Sequence, residues 1–544
     1  MRRACLAVAA VLTLLAVAAC GTPSKPQRFG SCGPILLAKH RYGCAPVTPS
    51  GPTVNYYVAQ TAAGTGSGSG SCSNAAAVST LSTSTEWTAG NVIGLCGTIT
   101  SAINAEGSGT AGNPITVYWE PGATLSNANW GQGAAISTNS HTYLTFNGGS
   151  DGSIQATALG SGLADAGQHA QGIWATGCTG CTIENLTIFN LYQHTSSTDT
   201  AVDQSQDEGI VFSGSDVTIA DNTIHDVGWA LHGQSSNGDS GYYIHGNDIY
   251  NVDHGYAQTT GFAGGSVGPV YFYDNQVHDY AAWDTTTDAY HHDGLHCYTS
   301  DSGAGASHYT GFYIFDNVFY NSGQNITAQI FLEGGTGSSA TPCADSTSPV
   351  WVFNNIANVT DVSNNGAFGL FSGQLNVYNN TLSGQDTTGG TVYVTNSDAT
   401  AEKFENNVLT TGDQVMSAAP SYFASGQPDY NTYANGGSNG FVCSANFYTF
   451  SQFSSWQSCI GADSHSQAVA SASLNADYSP QAGSPVLGAG ANLTSVCGAL
   501  PTSPVDADSA LCTSYTGPAM GASAGSSTSG TSRPSTSAWN AGAY

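Results

Sequence analysis

Ile219-Ala-Asp-Asn222-Thr-Ile224 is one copy of a phrase that recurs through the middle of the chain. It returns as Ile244-His-Gly-Asn247-Asp-Ile249, Phe272-Tyr-Asp-Asn275-Gln-Val277 and Ile314-Phe-Asp-Asn317-Val-Phe319. Three more copies are Val352-Phe-Asn-Asn355, Val377-Tyr-Asn-Asn380-Thr-Leu382 and Phe404-Glu-Asn-Asn407-Val-Leu409, and an earlier one, Ile183-Glu-Asn-Leu186-Thr-Ile188, has Leu in place of Asn. From Asn222 onward the asparagines are 25, 28, 42, 38, 25 and 27 residues apart. A fixed phrase with a minimum spacing of about 25 is a structural repeat, and the longer intervals are the same repeat with loop insertions. β-Branched and aromatic residues on both sides of a polar Asn suit a strand, a bend and a second strand. No copy has the 3.6-residue periodicity of a crossover helix.

One such turn cannot cover its own apolar side chains, whereas stacked turns bury Ile, Val and Phe in a continuous core, with rungs ~4.8 Å apart. The Asn of each bend then lies over the next, where its amide satisfies backbone groups left by the turn and its backbone tolerates left-handed angles. This pattern resembles the right-handed parallel β-helix of secreted polysaccharide-active proteins, the pectate-lyase-like superfamily, over roughly residues 55 to 415. The resemblance implies an all-β solenoid with an N-terminal cap and an irregular C-terminal extension.

The chain order follows. Residues 1–19, with Arg2-Arg3 and an apolar run too short to span a membrane, read as a signal peptide. Val17-Ala-Ala-Cys20 resembles a bacterial lipobox, which implies a lipid on Cys20; ordinary signal cleavage is the alternative. Residues 20–54 are a tether, 55–138 a cap and entry turns, 139–415 the helix and 416–522 a C-terminal segment with disulfides. Residues 523–544, rich in Ser, Thr, Gly and Ala, are expected to be disordered. The expected location is a cell surface or periplasm-facing lipoprotein, otherwise a secreted protein. Without Cys5 and Cys20 there remain twelve cysteines in an exported chain. Neighbour pairing is the simplest connectivity: Cys32–Cys44, Cys72–Cys96, Cys178–Cys181, Cys297–Cys343, Cys443–Cys459 and Cys497–Cys512.

Only 8% of residues are charged and the net charge is −28, which argues against nucleic acid and anionic lipid as partners. Of the eight Lys and Arg, only Lys403 falls within 139–415. The expected partner is a polysaccharide, the only membrane contact is the lipid anchor, and the chain is expected to be a monomer.

Polar residues gather on a second strand upstream of the Asn phrase. Aligning Ile173, Ile210, Leu231, Tyr256, Leu295 and Ile330 as inward anchors puts Asp253-His254 one rung from His291-His-Asp-Gly-Leu-His296. His232 falls on the preceding rung and Glu333 on the following one. Asp207 and Glu208 lie three rungs from Asp293, at ~14 Å by strand spacing. Insertions Tyr192–Gln206 and Tyr280–Tyr290 are expected to wall this polar floor, with Trp283 and Tyr290 as sugar-stacking faces. Three histidines in six residues, out of 14 in the chain, mark this as the sharpest motif; the bland alternative is a turn with chance histidines. Catalytic candidates are Asp253, His292, Asp293, His296 and Glu333. Substrate-binding candidates are His232, His254, Trp283, Asp284, Asp288, Tyr290, Asp207 and Glu208. No metal ligands are assigned, because the spacing matches no common zinc motif.

The Asp-Gly step resembles the catalytic Asn-Thr-Asp-Gly of polygalacturonases, but His-His replaces Asn-Thr and the Gly-His-Gly and Arg-Ile-Lys elements are missing. Carry-over stops at Asp293, with Gly294 expected to leave room for a sugar. Three functions are weighed. A glycoside hydrolase on a neutral or weakly charged polysaccharide needs two carboxyl groups, ~5 Å apart for retention or ~6.5–9.5 Å for inversion, and no cofactor. A lyase or uronate epimerase would use a His base with Ca²⁺. A non-enzymatic glycan-binding surface protein needs neither.

Overall fold

Each repeat phrase forms the strand, bend and strand that its pattern predicts. The computed structural model describes residues 51–160, 162–193, 205–260, 265–280, 292–299, 307–321, 326–332, 349–358, 368–370, 373–383, 390–394, 399–410, 414–418, 428–434, 440–444 and 446–544. Ser215–Ala220 leads through a two-residue bend into Thr223–Ser235, and Ser240–His245 into Asp248–Thr260. The strands before the bend stack into a 13-stranded sheet, and those after it belong to a 24-stranded one. The chain is a right-handed parallel β-helix.

Register places one apolar residue of every phrase over the next: Ile183, Ile219, Ile244, Phe272, Ile314, Val352, Val377 and Phe404. All are fully buried. Burying each contributes about 1.5–3 kcal/mol, and the column makes the core continuous from turn to turn.

The asparagines form a ladder beside this column. The Asn247 backbone N–H and Nδ2 both donate to Asn275 Oδ1, at 3.0 and 2.9 Å, and Nδ2 also donates to Ile219 O at 3.0 Å. Asn222, Asn275, Asn317, Asn355, Asn380 and Asn407 repeat the donation to the next rung. Leu186, which has no amide to pass on, starts the ladder by donating its N–H to Asn222 Oδ1. The ladder continues one rung past the last full phrase, to Asn431.

The left-handed position is the residue before each ladder Asn. Asp221, Gly246, Asp274, Asp316, Asn354, Asn379 and Asn406 have φ between 52° and 67°. A second left-handed column, Asn190, Asp226, Asn251, Asp279 and Asn321, turns the chain after the second strand; the repeat phrase gave no warning of it.

Two expectations are corrected. The solenoid does not stop at 415, since Thr432–Ala434 pairs with Val408–Thr410 and Gln467–Val469 with Thr432–Ala434; Tyr56–Ala59, Val92–Cys96 and Ile115–Trp119 stack in the 13-stranded sheet, as entry turns do. Residues 523–544 are not disordered. Gly525 donates its N–H to Gly246 O, Arg533 Nη2 donates to Asn354 Oδ1, and Asn379 Nδ2 donates to Asn540 O and Gly542 O. Trp539, Ala541 and Ala543 are buried. Composition suggested disorder because the tail docks through backbone carbonyls and side-chain amides, which leave no hydrophobic period.

Disulfides Cys72–Cys96, Cys178–Cys181 and Cys443–Cys459 form as expected. Cys297 is also disulfide-bonded. Its expected partner Cys343 lies outside the described residues, as do Cys32, Cys44, Cys20 and the chain up to residue 50. The chain divides into two units, and everything above belongs to residues 52–493 with 510–544. The other unit is 1–51 with 494–509, of which 51 and 494–509 are described, including a short helix, Thr494–Cys497. Among the described residues no helix is long and apolar enough to cross a membrane.

Candidate active site

The inward anchors align as the sequence predicts. Ile173, Ile210, Leu231, Tyr256, Leu295 and Ile330 succeed one another in register and are fully buried. That register sets Glu208 beside Trp229, Trp229 beside His254 and His254 beside Asp293. Two glycines make the close approach workable. A Cβ on Gly255 would collide with Gly294 O, and one on Gly294 with Gln329 O of the next strand. The space at Gly294 is therefore taken by a neighbouring strand rather than left for a sugar.

Asp253 is the hub. Its Oδ2 accepts Trp229 Nε1–H at 3.0 Å and faces His254 Nδ1 at 2.8 Å, while Oδ1 pairs with His292 Nδ1. Asp293 Oδ1 accepts the Ala328 N–H at 3.0 Å. Asp293 Oδ2 lies 3.4 Å from His254 Nε2 and 3.7 Å from His296 Nδ1, and the two imidazole nitrogens are 3.2 Å apart. His296 stacks on Phe331, centroid to centroid 4.5 Å. Exposure of Asp253, His254, His292, Asp293 and His296 runs from 0 to 4%.

Electrostatics follow from this burial. Burial would raise Asp253, but the imidazoles of His254 and His292 outweigh it and hold the carboxyl well below the usual range. Burial would lower His254, yet Asp253 outweighs it and lifts the imidazole to about 9. An ionised Asp253 thus holds a protonated His254. Both Asp253 oxygens are engaged, by Trp229 and His254 on one side and His292 on the other. The His254 ring also lies between the two aspartates, in the room that an inverting pair reserves for water. The catalytic candidates Asp253 and Asp293 are thus separated by an imidazole rather than facing one another across open space.

The preceding rungs carry a separate group. Glu208 pairs with His232 Nδ1 and accepts from Gln171, and His232 Nε2 meets Thr259 Oγ1 at 3.1 Å. Asp207 accepts the N–H groups of Ala170 and Gln193 at 3.1 and 3.0 Å and faces His169 at 3.2 Å. Burial lifts Asp207 to about 7 against the pull of His169. Asp207 and Glu208 stay three rungs from Asp293, as expected. Glu333, Trp283, Asp284, Asp288, Tyr290 and most of both insertions lie outside the described residues. Sequence reading missed Trp229 as a partner of Asp253; its place one rung before His254 was the available signal. The sequence put Asp253 and His254 one rung from Asp293 and His296, but not which atoms face one another: His254 Nε2, Asp293 Oδ2 and His296 Nδ1, drawn from two strands.

Fold and cluster together define a parallel β-helix protein with a buried His/Asp centre on one sheet. No protein-family model and no curated protein matches the chain. Among solved structures it is similar to the complex of XylC with xylose, at 11% identity over 72% of this chain and 86% of that one, TM-score 0.41. It is also similar to pectate lyase Pel9A, at 15% identity over 65% and 80%, TM-score 0.38. A third is the GH136 lacto-N-biosidase from Eubacterium ramulus, at 11% identity over 72% and 67%, TM-score 0.41. At these values no sugar or reaction is transferred to this chain.

Proposed function

We propose that this protein is an exported enzyme that hydrolyses a neutral or weakly charged polysaccharide at the His/Asp cluster. One observation carries the reading: five ionisable side chains, none more than 4% exposed, converge on adjacent rungs of a chain with 8% charged residues. Burying charge is expensive and contributes little to stability, so such concentration favours a functional centre. Asp293 is the carboxylate at the centre of the reaction site: its Oδ2 faces the two imidazoles while Oδ1 is anchored by the Ala328 N–H. The second carboxyl group comes from Glu333, Asp284 or Asp288. Trp283 and Tyr290 stack on the sugar, and His232 with Glu208 borders the site.

The absence of Arg from 139–415 supports a substrate with few carboxylates. Lys403, the one cation there, is 3.5 Å from Glu405. The lyase alternative loses support from the same scarcity of cations, since no Arg and only Lys403 fall in 139–415 to neutralise a uronate carboxylate. Lipidation at Cys20 tethers the enzyme to a membrane surface; a Cys20→Ala variant that stays membrane-bound would refute the anchor.

The test is product analysis on neutral and uronic polysaccharides. New reducing ends without the ultraviolet absorbance of an unsaturated uronide support hydrolysis; that absorbance indicates a lyase, and binding without product a glycan-binding protein. Asp293→Asn should lower the rate at least ~100-fold. A folded variant with near-normal turnover removes Asp293 from the reaction.

A further inference from the structure

His254 Nε2, Asp293 Oδ2 and His296 Nδ1 lie 3.2, 3.4 and 3.7 Å from one another. The first lies at the upper edge of hydrogen-bond range, ~2.7–3.2 Å, and the other two exceed it. The separations match the edges of a coordination tetrahedron, since bonds of ~2.0–2.1 Å to nitrogen and oxygen place ligand atoms ~3.3–3.4 Å apart. We infer that these three atoms bind a divalent transition-metal ion, zinc foremost, as its three ligands among the described residues.

The surroundings support ligation on both sides. A metal-bound histidine typically gives its other ring N–H to a carboxylate, and ligating carboxylates are themselves hydrogen-bonded. His254 Nδ1 meets Asp253 Oδ2 at 2.8 Å, and Trp229 Nε1–H donates to the same oxygen at 3.0 Å. Asp293 Oδ1 accepts the Ala328 N–H at 3.0 Å. The ligands stand on paired strands whose register sets His254 beside Asp293, so the donors are held by backbone pairing rather than by a loop. Two imidazole nitrogens and one carboxylate oxygen suit zinc and its neighbours; Ca²⁺ takes six to eight oxygens, and Mg²⁺ likewise prefers oxygen. Ion binding itself does not depend on the polysaccharide reading; only a part for the ion in hydrolysis rests on it.

The competing account is a shared proton among the three groups, and metal analysis of the full-length protein separates the two. Protein stripped with a chelator, re-dialysed against Zn²⁺ and washed should retain one ion per chain by elemental analysis. Co²⁺ in its place should show the visible absorption of a four-coordinate site. Asp293→Asn and His296→Ala should weaken Zn²⁺ binding at least ~100-fold, and Asp253→Asn, acting through His254, about 10–100-fold. His278→Ala, which faces Asp248 and Asp279 instead, should leave binding unchanged. Wild-type protein that retains no Zn²⁺ and shows no Co²⁺ spectrum overturns the inference, whatever becomes of the variants. So does retention that survives Asp293→Asn and His296→Ala in protein shown to be folded by circular dichroism. One bound ion with no sugar product would sink the hydrolase reading alone; product without a bound ion would sink only the metal site.

Discussion

Asn317 shows what one side chain does for the helix. Its Oδ1 accepts both the backbone N–H and the Nδ2–H of Asn275, at 3.0 and 3.1 Å, and its Nδ2 donates to Phe272 O at 2.9 Å and Asn355 Oδ1 at 3.0 Å. Asn317→Ala takes the acceptor from the buried Asn275 backbone N–H and a donor from Phe272 O, while the Asn317 backbone N–H still reaches Asn355 Oδ1 at 3.1 Å. Leaving a buried polar group unsatisfied costs ~1–3 kcal/mol, and partial relaxation keeps the total near the upper end, about 3 kcal/mol. Denaturant unfolding checks this, and a loss under ~0.5 kcal/mol would mean the ladder is not structural. His254 gives a second residue-scale expectation. Its imidazole is raised from 6.5 to about 9 on folding, so its contribution is complete below 6.5 and is lost as pH rises through about 9. In chelator, the wild-type melting temperature should fall across that window, and His254→Gln should flatten the profile. Coincident profiles would show that His254 is not held as the imidazolium.

At the scale of the element, the unit is a pair of adjacent residues with opposite duties. In Asn379-Asn380 the second residue points into the ladder, donating to Val352 O and Asn407 Oδ1. The first takes φ 52° and points outward, its amide bonding Asn540 O and Gly542 O of the returning tail. Asn406 does the same with Ala491 O, and Asn354 with Ala510 O and Thr513 O. The ladder residue was legible from the phrase alone, because it recurs unchanged. The outward one varies among Asp, Asn, Gly and Tyr430, and only its left-handed backbone shows that these are one column. Deleting residues 523–544 removes the partners of Asn379 and, with Arg533 itself, the donor to Asn354 Oδ1, at about 1 kcal/mol per lost hydrogen bond. The truncated protein should unfold at lower denaturant; an unchanged midpoint would mean that the tail contributes no stability.

At the scale of the molecule, charge governs what the solenoid meets. With net charge −28 and a single Lys in residues 139–415, the protein should bind pectate and alginate weakly at physiological salt. Sedimentation with insoluble uronan measures this, and tight binding that resists chelator would overturn it. The low charge also singles out the cluster, because a surface solvated by Ser, Thr and Asn leaves buried His and Asp without a structural duty. Neighbouring rungs carry aromatic and histidine stacks, Phe189 on His225, His225 on Tyr250 and Tyr250 on His278.

The sequence by itself determined the solenoid, its inward anchors, its Asn ladder and the neighbourhood of Asp253, His254, Asp293 and His296. These follow from a repeated local pattern, and a period-2 strand leaves few registers in which every anchor is buried. Only the tertiary structure decided that Asp253 anchors Trp229, His254 and His292, that His254 stands between the aspartates, and that Gly294 is closed by Gln329. It alone ordered the Ser- and Gly-rich tail. Those features depend on which way side chains turn between stacked rungs and on backbone groups meeting across distant residues. Neither leaves a periodic trace along the chain.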